Sequence, residues 1–184
     1  MTRWIPAALL GALMGTCLPG CHHGADPGHV AALDRLLGEV DSLEHTLDAM
    51  DTVELSHAHV LYATQRTAIE ARFKDTLTSE AAAILGNYHR AMARTLPLAL
   101  MEHARTRVAL DSTRLRLSHL RHDLTHGLLK EEEEDAFVTD ERTVVDHLSQ
   151  RVTAVALRLN TVQEDRARYQ GRVDTLLRDT LPKR

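Results

Sequence analysis

The spacing of apolar residues along the chain is the feature that most limits its fold. After residue 28, apolar side chains recur at alternating intervals of three and four positions, first at Leu33, Leu36, Val40, Leu43, Leu47 and Met50. This spacing places them on one face of an α-helix and is typical of helices that pack lengthwise against each other. Residues 29–126 contain glycine only at Gly38 and Gly86 and proline only at Pro97. The chain is therefore predicted to be all-α.

Two further apolar stripes follow. The second runs through residues 85–124 and stops before Gly127, and the third runs through residues 145–176. Long helices joined by short connectors pack antiparallel. We therefore predict an elongated antiparallel helical bundle, or coiled coil, of about three long helices in one domain over residues 29–182. The predicted helices are 29–76, 79–126 and 139–180.

The first stripe changes phase after Met50, and two structures explain the change. A stutter in the heptad pattern would keep the helix continuous. Alternatively, Asp51 and Glu54 have the spacing of a capping box and would begin a new helix. We prefer the continuous helix.

Two other segments interrupt the helical pattern. Pro97 is expected to remove one backbone hydrogen bond and to kink the second helix. Residues 128–138 are predicted to form a charged connector or a short helical turn. Their acidic run, Glu131 to Asp135, is interpreted as a solvated turn or the acidic first turn of a helix, in preference to a cation-binding patch.

Charges predict which helices are neighbours. Residues 28–54 hold seven acidic residues against Arg35 alone, whereas residues 103–127 hold five arginines against Asp111 and Asp123. A chain reversal at residues 77–78 would place these segments side by side, with paired residue numbers adding to about 155. Arg166, on the third stripe, is expected to pair with an acidic residue of a neighbouring helix or to extend into solvent.

The N-terminus has the layout of a secretory signal. MTR supplies a positive charge, and WIPAALLGALMG is an apolar run too short to span a bilayer. Leu18-Pro19-Gly20-Cys21 follows, and it resembles the bacterial lipobox, which has an aliphatic residue three positions before the cysteine and a small residue directly before it. The resemblance implies that residues 1–20 are a lipoprotein signal peptide, that Cys21 carries the lipid, palmitate included, and that residues 21–28 are a tether.

The same resemblance implies a location. A protein lipidated on Cys21 is anchored in the bacterial cell envelope, and residue 22 is His rather than the Asp that holds enterobacterial lipoproteins at the inner membrane. We therefore expect the outer membrane, facing the periplasm. The alternatives are lipidation of Cys17, disfavoured because the bulky Thr16 precedes it, and an ordinary signal peptide with two incidental cysteines. Removal of residues 1–20 would leave one thiol and no disulfide framework.

Histidine is the one overrepresented residue type whose side chain is chemically reactive, with 12 in the chain. His119, His122 and His126 fall on one helix face, and two such imidazoles with a carboxylate suit Zn²⁺ or Ni²⁺. His29 and Asp34 would lie opposite as further ligands. A solvated polar face is the preferred interpretation. His103 lies on the apolar stripe and is expected to be a hydrogen-bonded core histidine or a polar residue that sets the register.

The sequence predicts no enzyme and no cofactor, because it holds no glycine-rich phosphate loop, no defensible Ser-His-Asp arrangement and no EF-hand loop. Its acidic balance gives no reason to expect a nucleic-acid partner. The expected function is a structural or protein-interaction role, with the membrane and an unidentified envelope protein as partners. The alternative is a metal-binding or metal-sensing envelope protein. Small helical periplasmic sensors and stress chaperones resemble the chain in size, but residues 77–81 lack the glutamine of the chaperones' Leu-Thr-x-x-Gln signature.

Overall fold

The computed structural model describes residues 26–73 and 77–179, and these residues are almost entirely helical, with no strand among them. The elements are α1 (Pro27–Asp48), α2 (Thr52–Arg72), α3 (Ser79–His89), a π-helical turn (Arg90–Thr95), α4 (Leu96–Thr125) and α5 (Glu131–Asp179). They form three long arms: α1 with α2, α3 with α4 across the π-helical turn, and α5 alone. The predicted all-α class and elongated three-helix bundle are confirmed.

The apolar stripes form the core between the arms. Leu33, Leu36 and Val40 of α1 are fully buried against α4 and α5, as are Leu110 and Leu117 of α4. Each such side chain contributes roughly 1.5–3 kcal/mol when it leaves water. Burial along the stripes is therefore the main force that holds the arms together.

Three ion pairs align α1 with α4. Asp34 pairs with Arg121, Asp41 with Arg114 and Asp48 with Arg107. These pairs follow the register predicted from the charges, so the antiparallel arrangement of the first two arms is confirmed. Arg166 of α5 pairs with Glu54 of α2 at 2.6 Å, which is the neighbouring-acid partner expected for it.

The first arm is broken, so the preferred continuous helix over residues 29–76 is wrong. Helix α1 ends at Asp48 and α2 begins at Thr52. The Asp51 carboxylate accepts a hydrogen bond from the Glu54 amide at 2.8 Å, which satisfies an N-terminal amide of α2 that has no helical partner. The capping spacing therefore explains the change of phase.

The π-helical turn and Pro97 are structurally linked through the backbone hydrogen bonds between them. The wider turn shifts the backbone bonding by one residue, so the Leu96 amide bonds to the Ala91 carbonyl. The next carbonyl, Met92 O, would need an amide hydrogen from residue 97, which proline lacks. His59 of α2 supplies the replacement, with its Nδ1 3.0 Å from Met92 O. The structure thus compensates for Pro97 with a side chain from another arm.

The start of α5 differs from the predicted boundary at residue 139. The helix begins at Glu131, and its first turn consists of four glutamates that interact favourably with the positive end of the helix dipole. Val138 is buried, so the core extends into this part of the helix. The connector from α4 is therefore only a few residues long. It begins at Gly127, whose φ of 62° favours glycine and ends α4 as predicted.

Within residues 26–73 and 77–179, no helix combines the length and apolar character needed to cross a bilayer. The predicted signal peptide and the lipidation residue Cys21 lie outside the described residues.

Candidate functional site: the outer face of α4

Helix α4 is held to its neighbours along two of its sides. Arg107, Arg114 and Arg121 point to α1, where Arg114 also lies 2.6 Å from Glu44. On the other side, Arg116 forms a two-point ion pair with Glu141 of α5. The remaining side of α4 faces outward and is covered by no other described element.

Apolar side chains occupy this outward side. Leu98, Met101, Val108 and Leu115 are 53%, 39%, 65% and 59% exposed, and we call them the outer stripe. Met101, Val108 and Leu115 are seven residues apart, so they form a straight line along the helix over roughly 25 Å with Leu98. Single exposed apolar residues are common on protein surfaces, whereas four on one face of one helix favour an interaction surface.

The outer stripe is nearly free of charge. Arg107, Arg114 and Arg116 turn toward the other arms, which leaves Glu102, Arg105 and Asp111 as the charges beside the stripe. Arg105 makes a long contact of 3.4 Å with Glu102. Asp111 lies close enough to Glu44 to raise the pKa of that carboxyl, although burial is the larger cause.

The predicted histidine cluster continues the same outward side. His119, His122 and His126 are all exposed. The rings of His122 and His126 lie 4.0 Å apart, and the Nδ1 of His126 bonds to the His122 carbonyl at 2.8 Å. The structure therefore brings two of the three predicted ligands into ring contact.

The two further ligands proposed for that cluster have other partners. Asp34 pairs with Arg121, and His29 contacts Glu134 and Asp135 of α5. Across residues 26–73 and 77–179, no group of three or more His, Cys, Asp or Glu is placed to hold a metal ion. Metal binding by the histidine cluster remains a prediction for which the described residues supply only a two-imidazole half-site.

His29 joins the first turns of α1 and α5. Its Nδ1 lies 3.0 Å from Glu134 Oε2 and its Nε2 lies 2.7 Å from Asp135 Oδ1. Two carboxylate acceptors require both ring nitrogens to carry hydrogen, so the contact favours the charged imidazolium. The hydrogen bonds to Glu134 and Asp135, in that order, raise the pKa of His29 above its usual value.

At the opposite end of the bundle, a hydrogen-bonded polar network links α2, α3 and α5. The Tyr88 hydroxyl donates to Gln65 Oε1 at 2.9 Å, and Gln65 Nε2 donates to Asp174 Oδ1 at the same distance. Burial raises the pKa of Tyr88 to about 12. These hydrogen bonds satisfy polar groups that would otherwise be costly in the core, so the polar network has a structural role.

Two grooves flank this polar network. One, of about 480 Å³, lies between α3 and α5, and its rim carries the Arg172–Glu80 ion pair. The other, of about 350 Å³, lies between α2 and α3, where the Tyr62 hydroxyl and His89 Nδ1 are hydrogen-bonded to each other. Burial raises the pKa of Tyr62, which disfavours its use as a nucleophile or base.

Sequence reasoning did not identify the outer stripe as a site or His59 as a backbone partner. The seven-residue spacing of Met101, Val108 and Leu115 was a readable signal, whereas the His59 contact depends on packing between two arms. The hydrogen bond expected of His103 is confirmed, since its Nε2 lies 3.0 Å from the Leu47 carbonyl near the end of α1, although the side chain is half-buried. No protein-family model, curated protein or solved structure matches the chain.

Proposed function

We propose that the chain is a lipid-anchored protein of the bacterial envelope that acts through protein–protein contact, without catalysis, by way of the outer stripe of α4. The N-terminal resemblance to lipoproteins supports the anchor. The bundle supports the interaction role, because it provides a long, rigid surface.

The observation that carries the proposal is the uncovered outer stripe. Burial of apolar surface contributes about 25 cal/mol per Å², so a row of exposed Leu, Met and Val side chains favours association. Recognition along a helix uses anchor residues three, four and seven positions apart. The stripe has one step of three and two steps of seven. A face used only for solubility would carry charges at these positions.

The anchor fixes where this surface operates. One acyl chain gives only marginal membrane attachment, whereas the diacylglycerol of a lipoprotein cysteine gives stable attachment. The tether of residues 21–28 reaches at most ~3.5 Å per residue. The bundle would therefore work close to the membrane surface.

Site-specific photo-cross-linking in cells tests the interaction role. A photo-reactive phenylalanine analogue replaces Val108 in the full chain, and the matched control replaces Leu157 of α5, which is 68% exposed against 65% for Val108. We expect covalent protein adducts from position 108 and not from position 157. Equal labelling from both positions, or none from either, would contradict the proposal.

Metal binding is the second candidate function, and the ring contact between His122 and His126 favours it. Two adjacent imidazoles hold a metal ion only loosely unless another molecule completes the coordination. Titration with Zn²⁺, described below, separates this candidate from the first.

A further inference from the structure

We infer that α5 has two alternative starting points, Glu131 and Thr139, and that the charge on His29 selects between them. With a charged imidazole the helix begins at Glu131, as observed. With a neutral imidazole residues 131–138 unwind and the helix begins at Thr139. The inference goes beyond the proposed function, because it concerns a pH-dependent change within the bundle and not its partner.

An ion pair occupies the last layer of the core at the N-terminal ends of α1 and α5. On α1, His29 stands four positions before the buried Leu33 and continues the spacing of the apolar stripe. On α5, Glu134 stands four positions before the buried Val138 and is itself buried. Leucine and valine hold the next layer together by apolar burial. The end layer is instead held by a charge that histidine can lose.

The charged groups in contact with the His29 ring are acidic. Asp26, the N-cap residue of α1, lies 3.7 Å from Nδ1. Glu134 and Asp135 of α5 lie 3.0 Å from Nδ1 and 2.7 Å from Nε2. Three carboxylates around one ring stabilise the imidazolium and offer nothing that would compensate for its loss.

The α4 arm and the connector also bring titratable groups to this end. In the register of the ion pairs between the arms, His126 comes level with the His29 ring, and it is exposed. Asp123, which comes level with Glu134, adds negative charge. Lys130 lies 3.7 Å from Glu133. Among the described residues, the imidazolium is the positive group within hydrogen-bond distance of the Glu134 carboxylate.

Loss of the imidazolium charge would leave the Glu134 carboxylate buried without a positive partner. Its side chain is only 5% exposed, and burial of an unpaired carboxylate is costly. Unwinding returns this carboxylate to water and so becomes favourable. The pKa of His29 is raised by its hydrogen bonds to Glu134 and then to Asp135. The long form of the helix is therefore complete below the ordinary histidine value and is lost as pH rises through the higher folded value.

Residues 131–138 have little else to keep them helical. Apart from Glu134 and Val138, their side chains are exposed or half-buried. The acidic side chains of Glu131 and Asp135 are four positions apart, and like charges at this spacing destabilise a helix. The helix dipole favours acidic residues in the first turn, and their mutual repulsion opposes the effect. A small balance of this kind lets one contact decide where the helix begins.

Thr139 provides the cap for the shorter helix. Threonine is a favoured N-cap residue, and Asp140 and Glu141 would then stand in the first turn, where acidic side chains interact favourably with the dipole. Glu141 already forms a two-point ion pair with Arg116 of α4. Arginine keeps its charge at any pH that the protein meets, so the shorter helix stays attached to α4 when the His29 layer opens.

Hydrogen exchange of the full chain, measured by mass spectrometry, tests the inference. Helical amides bond to the carbonyl four residues earlier, so unwinding of residues 131–137 frees the amides of residues 135–141. Exchange is compared at about pH 6 and about pH 9, values that bracket the histidine range, after correction for the intrinsic effect of pH. We expect a several-fold loss of protection for residues 135–141 at the higher pH. The reference amides of residues 148–154, which lie beyond the Arg116–Glu141 pair, should show no such loss.

Two variants at the contact separate charge from packing. His29→Gln keeps a hydrogen-bonding side chain without the charge, so residues 135–141 should have low protection at both pH values. Glu134→Gln removes the buried carboxylate and with it the need for a charged ring, so protection should be the same at both. Equal protection of the wild-type segment at the two pH values would overturn the inference. A pH-dependent loss that persists in both variants would also overturn it.

A variant at the second starting point tests the shorter helix. Thr139→Val has nearly the same shape as threonine but lacks the hydroxyl that would cap the helix. It should disfavour the shorter form, so residues 135–141 should keep more protection than in wild type at about pH 9, within the alkaline range of the test. Thr139→Ser retains the hydroxyl and is the matched control. Identical loss of protection in Thr139→Val and Thr139→Ser would contradict a helix start at residue 139.

Discussion

His29 at the start of α1 and Glu134 at the start of α5 are joined by a contact of 3.0 Å between Nδ1 and Oε2, although 105 residues separate them in the chain. The Glu134 side chain is only 5% exposed. The contact holds α1 and α5 together at the N-terminal ends of both helices, and its strength depends on the charge of the His29 imidazole.

We expect the contribution of His29 to stability to fall as pH rises. The pKa of His29 is raised in the folded chain, chiefly by Glu134 and then by Asp135. Its stabilising contribution is therefore complete below the unfolded value of about 6.5 and is lost as pH rises through the higher folded value. Thermal unfolding of wild type and His29→Ala, followed from about pH 5.5 to about pH 9, should show a difference in Tm that shrinks with pH. A difference that stays constant over that range would show that His29 acts through packing alone.

Arg114→Ala should destabilise the bundle more than Arg121→Ala. Arg114 is the ion-pair partner of Glu44, whose side chain is only 16% exposed and whose second carboxylate oxygen has no hydrogen-bond partner. Loss of Arg114 leaves a largely buried carboxylate unpaired, at a cost of about 1–2 kcal/mol, whereas an exposed pair contributes under ~1 kcal/mol. Urea unfolding measures both changes. Glu44→Gln should recover part of the loss in the Arg114→Ala background and not in the Arg121→Ala background.

His59→Ala should cost less when Pro97 is replaced by alanine. In wild type, His59 is the donor to the Met92 carbonyl, and its removal should cost about 1–2 kcal/mol. In the Pro97→Ala chain, the new amide hydrogen at residue 97 can take over that carbonyl. A double-mutant cycle of unfolding free energies measures the coupling. Independent, additive effects would mean that His59 does not compensate for the proline.

Zn²⁺ should bind the chain weakly and without fixed stoichiometry. His122 and His126 supply two imidazoles, whereas a tetrahedral zinc site needs four ligands. Binding should weaken further in acid, because only neutral imidazole is a ligand. Calorimetric titration compares wild type with His122→Ala/His126→Ala, with His22 and His23 deleted from both. Tight, stoichiometric binding that the double variant loses would instead favour the metal-binding function.

Cys21→Ala should abolish labelling with palmitate and release the protein from the membrane fraction. Each acyl methylene contributes about 0.8 kcal/mol to membrane attachment, so loss of the lipid removes the anchor. Fractionation of cells grown with labelled palmitate measures both effects. Cys17→Ala is the control and should keep its label. Labelling that survives in Cys21→Ala and disappears in Cys17→Ala would assign the lipid to Cys17.

The sequence predicted features that depend on local spacing. The apolar stripes specified three arms, and the charges on residues 28–54 and 103–127 specified the register of the Asp41–Arg114 pair. The start of α5 was missed because apolar periodicity begins only near Val138, after a turn built from glutamates. The break before Thr52 was predicted wrongly, because a stutter and a cap produce the same change of phase and the continuous helix was preferred.

Other features depend on partners that local spacing does not reveal. The π-helical turn before Pro97 requires the ring of His59 from another arm. His29 was placed near the histidine cluster of α4, but the acidic first turn of α5 lies closer and binds it. That outcome followed from the earlier start of α5, which the sequence pattern did not show.

The ion pairs between α1 and α4 repeat at equal seven-residue intervals, and a repeated pattern tolerates slippage. Sliding α4 by seven residues would still match Asp34 with Arg114 and Asp41 with Arg107, so two of the three pairs would re-form. His103 has no such equivalent, because leucine occupies residues 96 and 110, seven positions to either side. Its hydrogen bond to the Leu47 carbonyl forms in one alignment only. The charges thus select the direction of packing, and the His103 hydrogen bond opposes a shift of α4 by one seven-residue repeat.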